Sequence, residues 1–310
     1  MIDRALNDTD EMLDFLNQKQ IKLGSFDENK TKDFLKNRTY FFKLMAYRKN
    51  FINIKGDYVN LTFDELVDIS NIDMRLRYIM FHLCLDIEHA LKTKFINEII
   101  FRYKDDGYQF LEKYIDQNPN PGKLRKKLNE QVSRTNQELY ENHCKQLPLW
   151  IVVECCEFGI LESMLTFYLK QHPDSELNFL VGKNTSKNIL LYVRNIRNKA
   201  AHNSVILNSI TKNSGIKLTG YINNFTSNFL SQVEMPKTLR KGNCNIGTIH
   251  DLTTLLAVYD ELIDSPKMKA IRYDELKGLI RRAYQNKHFY IGSSVERVFK
   301  YFFVIIKHLC

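Results

Sequence analysis

"IDMRLRYIMFHLCLDIEHALKTKFINEIIFRY", from Ile72 to Tyr103, contains neither glycine nor proline. Its apolar residues Leu76, Ile79, Met80, Leu83, Ile87, Ala90, Leu91, Phe95 and Ile99 recur three and four apart. That spacing puts them on one stripe of a helix, so about 30 residues are predicted as a single long core helix. The same 3.6-residue period extends in both directions. Upstream, residues 1–24 read as a short helix with Leu6, Met12, Leu13 and Leu16 on one side and Gly24 at its end. Lys30 to Ile52 reads as a second, aromatic-rich helix, and Thr62 with Glu65 three residues on is a capping box. Downstream, "NPNPG" (Asn118 to Gly122) is a turn followed by a basic helix from Lys123 to His143. Leu147 to Leu169 is a buried apolar helix opened by Pro148, and Asn188 to Leu207 is another, capped by Thr185 or Ser186.

The fold is therefore read as all-α. An N-terminal helical segment (1–60) precedes a helical core (61–210). An irregular excursion (211–250), rich in Asn, Ser, Thr and Gly, leads to a C-terminal helical segment (251–310). Only 12 glycines and 6 prolines in 310 residues agree with long helices. The start of the chain is polar and acidic, unlike a signal peptide, and no apolar run approaches the roughly 18 residues that span a bilayer. A cytoplasmic protein without a membrane partner is expected. The six cysteines form no CxxC pair, so neither disulfides nor a metal site nor any cofactor is predicted. A formal charge of +9 favours a polyanionic partner, although abundant Lys, Asn and Ile also fit a compositional bias.

"VRNIRNKAAHN", Val193 to Asn203, breaks the apolar pattern. Arginine followed by four residues and histidine is a weak signal, because 15 arginines and 8 histidines give roughly 0.4 such pairs by chance. "RYIMFH" (Arg77 to His82) has the same spacing within the long helix, where His82 is expected to be a core histidine. Arg282 to His288 is similarly bland. "RNKAAH" is more specific, since Asn198 directly follows Arg197 and two alanines precede His202.

Two readings stand. In one, the residues are the polar edge of a core helix. In the other, Arg197 offers a planar donor fork for phosphate, His202 a proton acceptor and donor near neutrality, and Asn198 an orienting amide. This set suits attack of an RNA 2′-OH on the adjacent phosphorus, which needs no metal because the nucleophile belongs to the substrate. Five residues turn about 140° beyond one helical turn, so Arg197 and His202 do not share a face, whereas Asn198 and His202 do. A two-fold homodimer would bring two copies around one cleft.

Four blocks in order resemble the abortive-infection proteins of the AbiD/AbiF-like group within the HEPN superfamily of all-α ribonucleases. They are "YFFKLMAYRKNFI" (Tyr40 to Ile52), "DIEHALKTKFINEI" (Asp86 to Ile99), "LPLWIVVECCEFGILESML" (Leu147 to Leu165) and "VRNIRNKAAHNSVI" (Val193 to Ile206). The resemblance implies a HEPN-type helical bundle with accessory helices and a metal-independent endoribonuclease toxin of phage defence. Arg197 and His202 match its Arg-x(4–6)-His motif, Asn198 its polar neighbour, and dimerisation through the motif faces is implied. A small structured RNA or a protein antitoxin is implied as regulator.

Glu88 is either a brace for Arg197 or His202, with Arg194 as further support, or an ion pair with Lys92. The group often has a second histidine where this chain has Asn203. Lys123, Arg125, Lys126, Lys127, Arg134, Arg281, Arg282 and Lys287 are candidate RNA-backbone contacts, or else a solvated charged face. A catalytically silent RNA-binding scaffold is the alternative function.

Overall fold

A computed structural model describes residues 8–181, 189–208, 210 and 222–310. The chain enters through α1 (Thr9–Gln18), whose first-turn N–H groups are taken by the Asp8 carboxylate at 2.9 Å. α2 (Glu28–Asn37) is capped in the same way by Asp27. The helix expected over Lys30 to Ile52 is interrupted. Tyr40 is extended (ψ 140°) and starts a short α3 (Phe41–Ala46), which tightens into a 3-10 turn at Tyr47–Asn50. A two-stranded hairpin follows, β1 (Asn53–Ile54) against β2 (Asp57–Tyr58). Its loop residues Lys55 and Gly56 both have positive φ, as a two-residue hairpin loop requires.

α4 (Phe63–Asn97) is the long helix, and it starts nine residues before the predicted stretch, because the capping box opens it directly. The Glu65 carboxylate accepts the Thr62 N–H at 2.7 Å. Among the predicted core positions, Ile79, Met80, Leu83, Ile87, Leu91, Phe95 and Ile99 are buried, and Leu76 and Ala90 are half-buried. His82 is a correction: it is exposed and faces Glu275 at 3.8 Å. It lies on the outer side of α4, one turn from the buried stripe.

Two further predicted helices each divide. α5 (Tyr108–Asp116) precedes α6 (Pro121–Thr135) and α7 (Gln137–His143). α6 and α7 are separated at Asn136, which leaves helical geometry and caps α7 with its own side chain. α8 (Leu149–Cys155) and α9 (Phe158–Gln171) are separated at the extended Cys156 (ψ 152°). α10 (Leu190–Ala201) carries the motif; the predicted cap at Thr185 or Ser186, like Leu6, lies outside the described residues.

The irregular excursion expected for 211–250 is corrected wherever it is described. α11 (Asn224–Gln232), α12 (Lys237–Asn243) and the first turn of α13 (Gly247–Leu262) occupy it. Their polar composition is absorbed by capping and buried pairing: Asn223 caps α11 and meets His250 at 3.0 Å, and Thr226 meets Thr254 at 2.7 Å. Every residue of α13 from Ile249 to Tyr259 is buried, so this helix is the axis of the core. α10 and α4 pack on it. α14 (Pro266–Gln285) and α15 (Ser294–Leu309) close the molecule. The architecture is all-α, as expected. No helix among the described residues is long and apolar enough to cross a membrane.

Candidate functional site

α10 turns Leu190, Val193 and Ile196 into the core and leaves its polar residues on the remaining flanks. One flank is structural. Asn195 reaches Asp251 at 3.2 Å, and Lys199 donates to the Thr248 hydroxyl at 3.0 Å, where burial lowers the pKa of its ammonium. Arg194 ion-pairs with Glu162 at 2.8 Å.

The motif residues occupy the last turn. Arg197 is half-buried with its Nε enclosed and unpaired among the described residues, while Asn198 and His202 are exposed. The helix ends immediately after Ala201, with His202 as its cap. Asn203 then adopts φ 52°, its N–H returns to the Ala200 carbonyl at 3.1 Å, and the Ser204 N–H returns to the Lys199 carbonyl at 2.8 Å. This pair of bonds is a Schellman motif, with Asn203 in its left-handed position. Asparagine tolerates that backbone better than most side chains. Asn203 is thus the residue that stops the helix, and it leaves His202 on an open end.

The chain beyond the motif is pinned by buried polar groups. Asp73 on α4 accepts the Leu207 N–H at 2.7 Å and the Ile206 N–H at 3.1 Å. It also accepts the Tyr47 hydroxyl at 2.7 Å and ion-pairs with Arg77. Asn50 donates to the Leu207 carbonyl at 2.6 Å and accepts the Ile210 N–H at 3.1 Å. Burial raises the Asp73 carboxyl pKa, a shift opposed by Arg77 and by the donors that converge on it. Tyr47 is pushed up by its burial and by Asp73. Arg77 therefore belongs to the scaffold that holds the motif, although its spacing to His82 carries no chemistry.

Lys43 on α3 donates to the Asn203 carbonyl at 2.9 Å and to its side-chain oxygen at 3.0 Å. Together Lys43, Asn203 and Arg77 form one wall of a cleft of about 920 Å³ between α2, α3 and α4. Asp73, Asn50 and Lys43 escape a reading of the sequence alone. The available signal was Asp73 and Arg77 four apart on the ridge that carries Ile69 and Met80.

Glu88 ion-pairs with Lys92 at 3.3 Å, and among the described residues nothing bonds it to Arg197 or His202. Both Glu88 and Arg197 act electrostatically on the buried Cys84, whose thiol pKa is raised chiefly by burial. The basic candidates lie elsewhere. Arg125 pairs with Glu112 at 2.6 Å, Lys126 with Glu130 at 3.8 Å and Lys127 with Glu157 at 3.3 Å. Arg282 pairs with the buried Asp68, while Lys123, Arg134, Arg281 and Lys287 are exposed. These residues do not gather at the end of α10; they sit on α6, α14 and the turn after α14.

No curated protein matches the chain, and neither does any solved structure. The Abi-like protein family matches residues 33–208, a span that runs from α2 to the pinned segment after α10 and includes Lys43, Asp73, Arg77, Arg197 and His202. With more than half of its length matched across both the motif and its supporting network, this chain belongs to the Abi-like protein family.

Proposed function

We propose that this chain is a HEPN-type endoribonuclease of the AbiD/AbiF-like kind, acting as the toxin of a phage-defence system. Family membership supplies the abortive-infection role. The observation that carries the chemistry is the end of α10: His202 stands exposed on a Schellman terminus, Asn198 lies one turn behind it, and the half-buried Arg197 backs the same turn. A histidine buried against Leu and Ile would favour a structural role instead.

In the proposed reaction His202 takes the proton of a ribose 2′-OH. The O2′–P bond forms as the P–O5′ bond breaks. The products are a 2′,3′-cyclic phosphate and a 5′-hydroxyl, the latter protonated by a second histidine. Arg197 stabilises the charge that builds on the phosphoryl oxygens. One subunit supplies one motif histidine, so the second acid–base group comes from a second copy across a two-fold axis.

The test is cleavage of RNA in EDTA with end-group analysis of the fragments. Arg197→Ala and His202→Ala should each lower cleavage by about 10²–10⁴-fold, the range of a lost acid–base or charge-stabilising group, with the melting temperature retained. Wild-type rates in both variants would refute the assignment. Tight, salt-sensitive RNA binding by wild-type protein without turnover would identify a silent scaffold instead.

A further inference from the structure

The cleft between α2, α3 and α4 combines two features that the motif alone does not supply. The first is charge. Its walls carry Arg38 and Lys43 against the single carboxylate Asp33, the charges of Lys30 and Arg77 being matched by Asp27 and by buried Asp73. Arg38 is exposed beyond the end of α2. Lys43, which lines the cleft, spends two of its three donors on Asn203 and has one left. The second feature is aromatic surface. Tyr78 lines the cleft with 59% of its surface exposed, and Tyr40, outside the lining and 62% exposed, has the Lys43 ammonium 5.9 Å from its ring centroid. Cations along a groove with free rings beside them are the arrangement that holds single-stranded nucleic acid: phosphates follow the charge and unpaired bases stack on the rings. A duplex keeps its bases stacked inward and offers those rings nothing.

The cleft also touches the motif. Asn203, adjacent to His202, forms part of its wall. We propose that this cleft is the binding groove for single-stranded RNA leading to the end of α10, with Arg38 and Lys43 holding phosphates and Tyr78 stacking a base. The proposal rests on the reading of RNA as substrate, and it adds the side from which the strand arrives and the requirement that it be unpaired.

The test uses the full chain and a fluorescein-labelled 12-nucleotide single-stranded RNA in EDTA. Anisotropy gives affinity in a His202→Ala background, and fragment analysis with wild-type His202 gives cleavage. The single strand should bind at least about tenfold more tightly than a duplex of the same length. Tyr78→Ala should weaken binding by about tenfold, the scale of one lost stacked base. Arg38→Ala should weaken it severalfold and reduce the salt dependence by about one ion. Both residues are exposed, so the melting temperature should hold; Tyr78→Phe should retain affinity as a control for stacking. Unchanged affinity in both alanine variants, or equal affinity for the duplex, overturns the groove. Loss of binding in these variants without cleavage by wild type leaves the groove standing and removes the nuclease. Cleavage that is insensitive to Arg38 and Tyr78 does the reverse.

Discussion

Asp73 carries more of the site's architecture than any residue of the motif itself. Its carboxylate holds two backbone N–H groups beyond the motif, a tyrosine hydroxyl and a guanidinium, all in the interior. Removing it leaves a buried arginine without its counter-charge and three donors without an acceptor. Asp73→Ala should therefore cost about 3–5 kcal/mol in denaturant unfolding. Asp73→Asn, which retains an acceptor oxygen, should cost less. A loss below about 1 kcal/mol for the alanine variant would mean that the network does not hold the segment. Arg197, Asn198 and His202 were legible as a group, because their types and spacing are unusual in an apolar helix. Their support was not. An aspartate on a helix reads as a surface residue unless the turns on either side are known to be buried.

Helices were legible at the element scale, and their interruptions were not. Neither glycine nor proline ends α2, separates α6 from α7, or parts α8 from α9. The breaks fall at Tyr40, Asn136 and Cys156, where side-chain capping or packing outweighs the local preference to continue. One glycine is decisive. Gly24 has φ +70°, and a Cβ there would stand 1.8 Å from the Asp64 carboxylate. That carboxylate sits in the first turn of α4 and accepts the Ser25 N–H at 2.7 Å. Gly24→Ala should thus destabilise the protein by more than about 1 kcal/mol, measured as a lowered unfolding midpoint. An unchanged midpoint would show that the loop relaxes without loss.

At the scale of the whole molecule, the C-terminal helices are tied to α4 from outside the family-matched span. Asp68 accepts Arg282, the Asn286 amide at 2.8 Å and the Tyr290 hydroxyl, and Asp86 accepts Arg272 at 2.7 Å. The core that supports the motif is thereby shared across the chain. The proposed two-fold site has a consequence at this scale. Wild-type protein co-refolded with an equal amount of His202→Ala should keep only about a quarter of the cleavage given by the same total amount of wild type, since about a quarter of randomly mixed dimers carry both histidines. Retention of about half would place the site within one subunit.

The amino-acid sequence by itself determined that the fold is all-α and where its unusual polar cluster lies. Apolar spacing and composition act over a few residues and are written locally. Tertiary structure alone decided that α10 ends at Ala201, that His202 is open to solvent, and that a basic, ring-lined cleft adjoins it. The contacts responsible join Lys43 to Asn203, 160 residues apart, and Asp73 to Leu207, 134 apart. At such separations the pairing is set by how whole helices pack, and no local pattern encodes it.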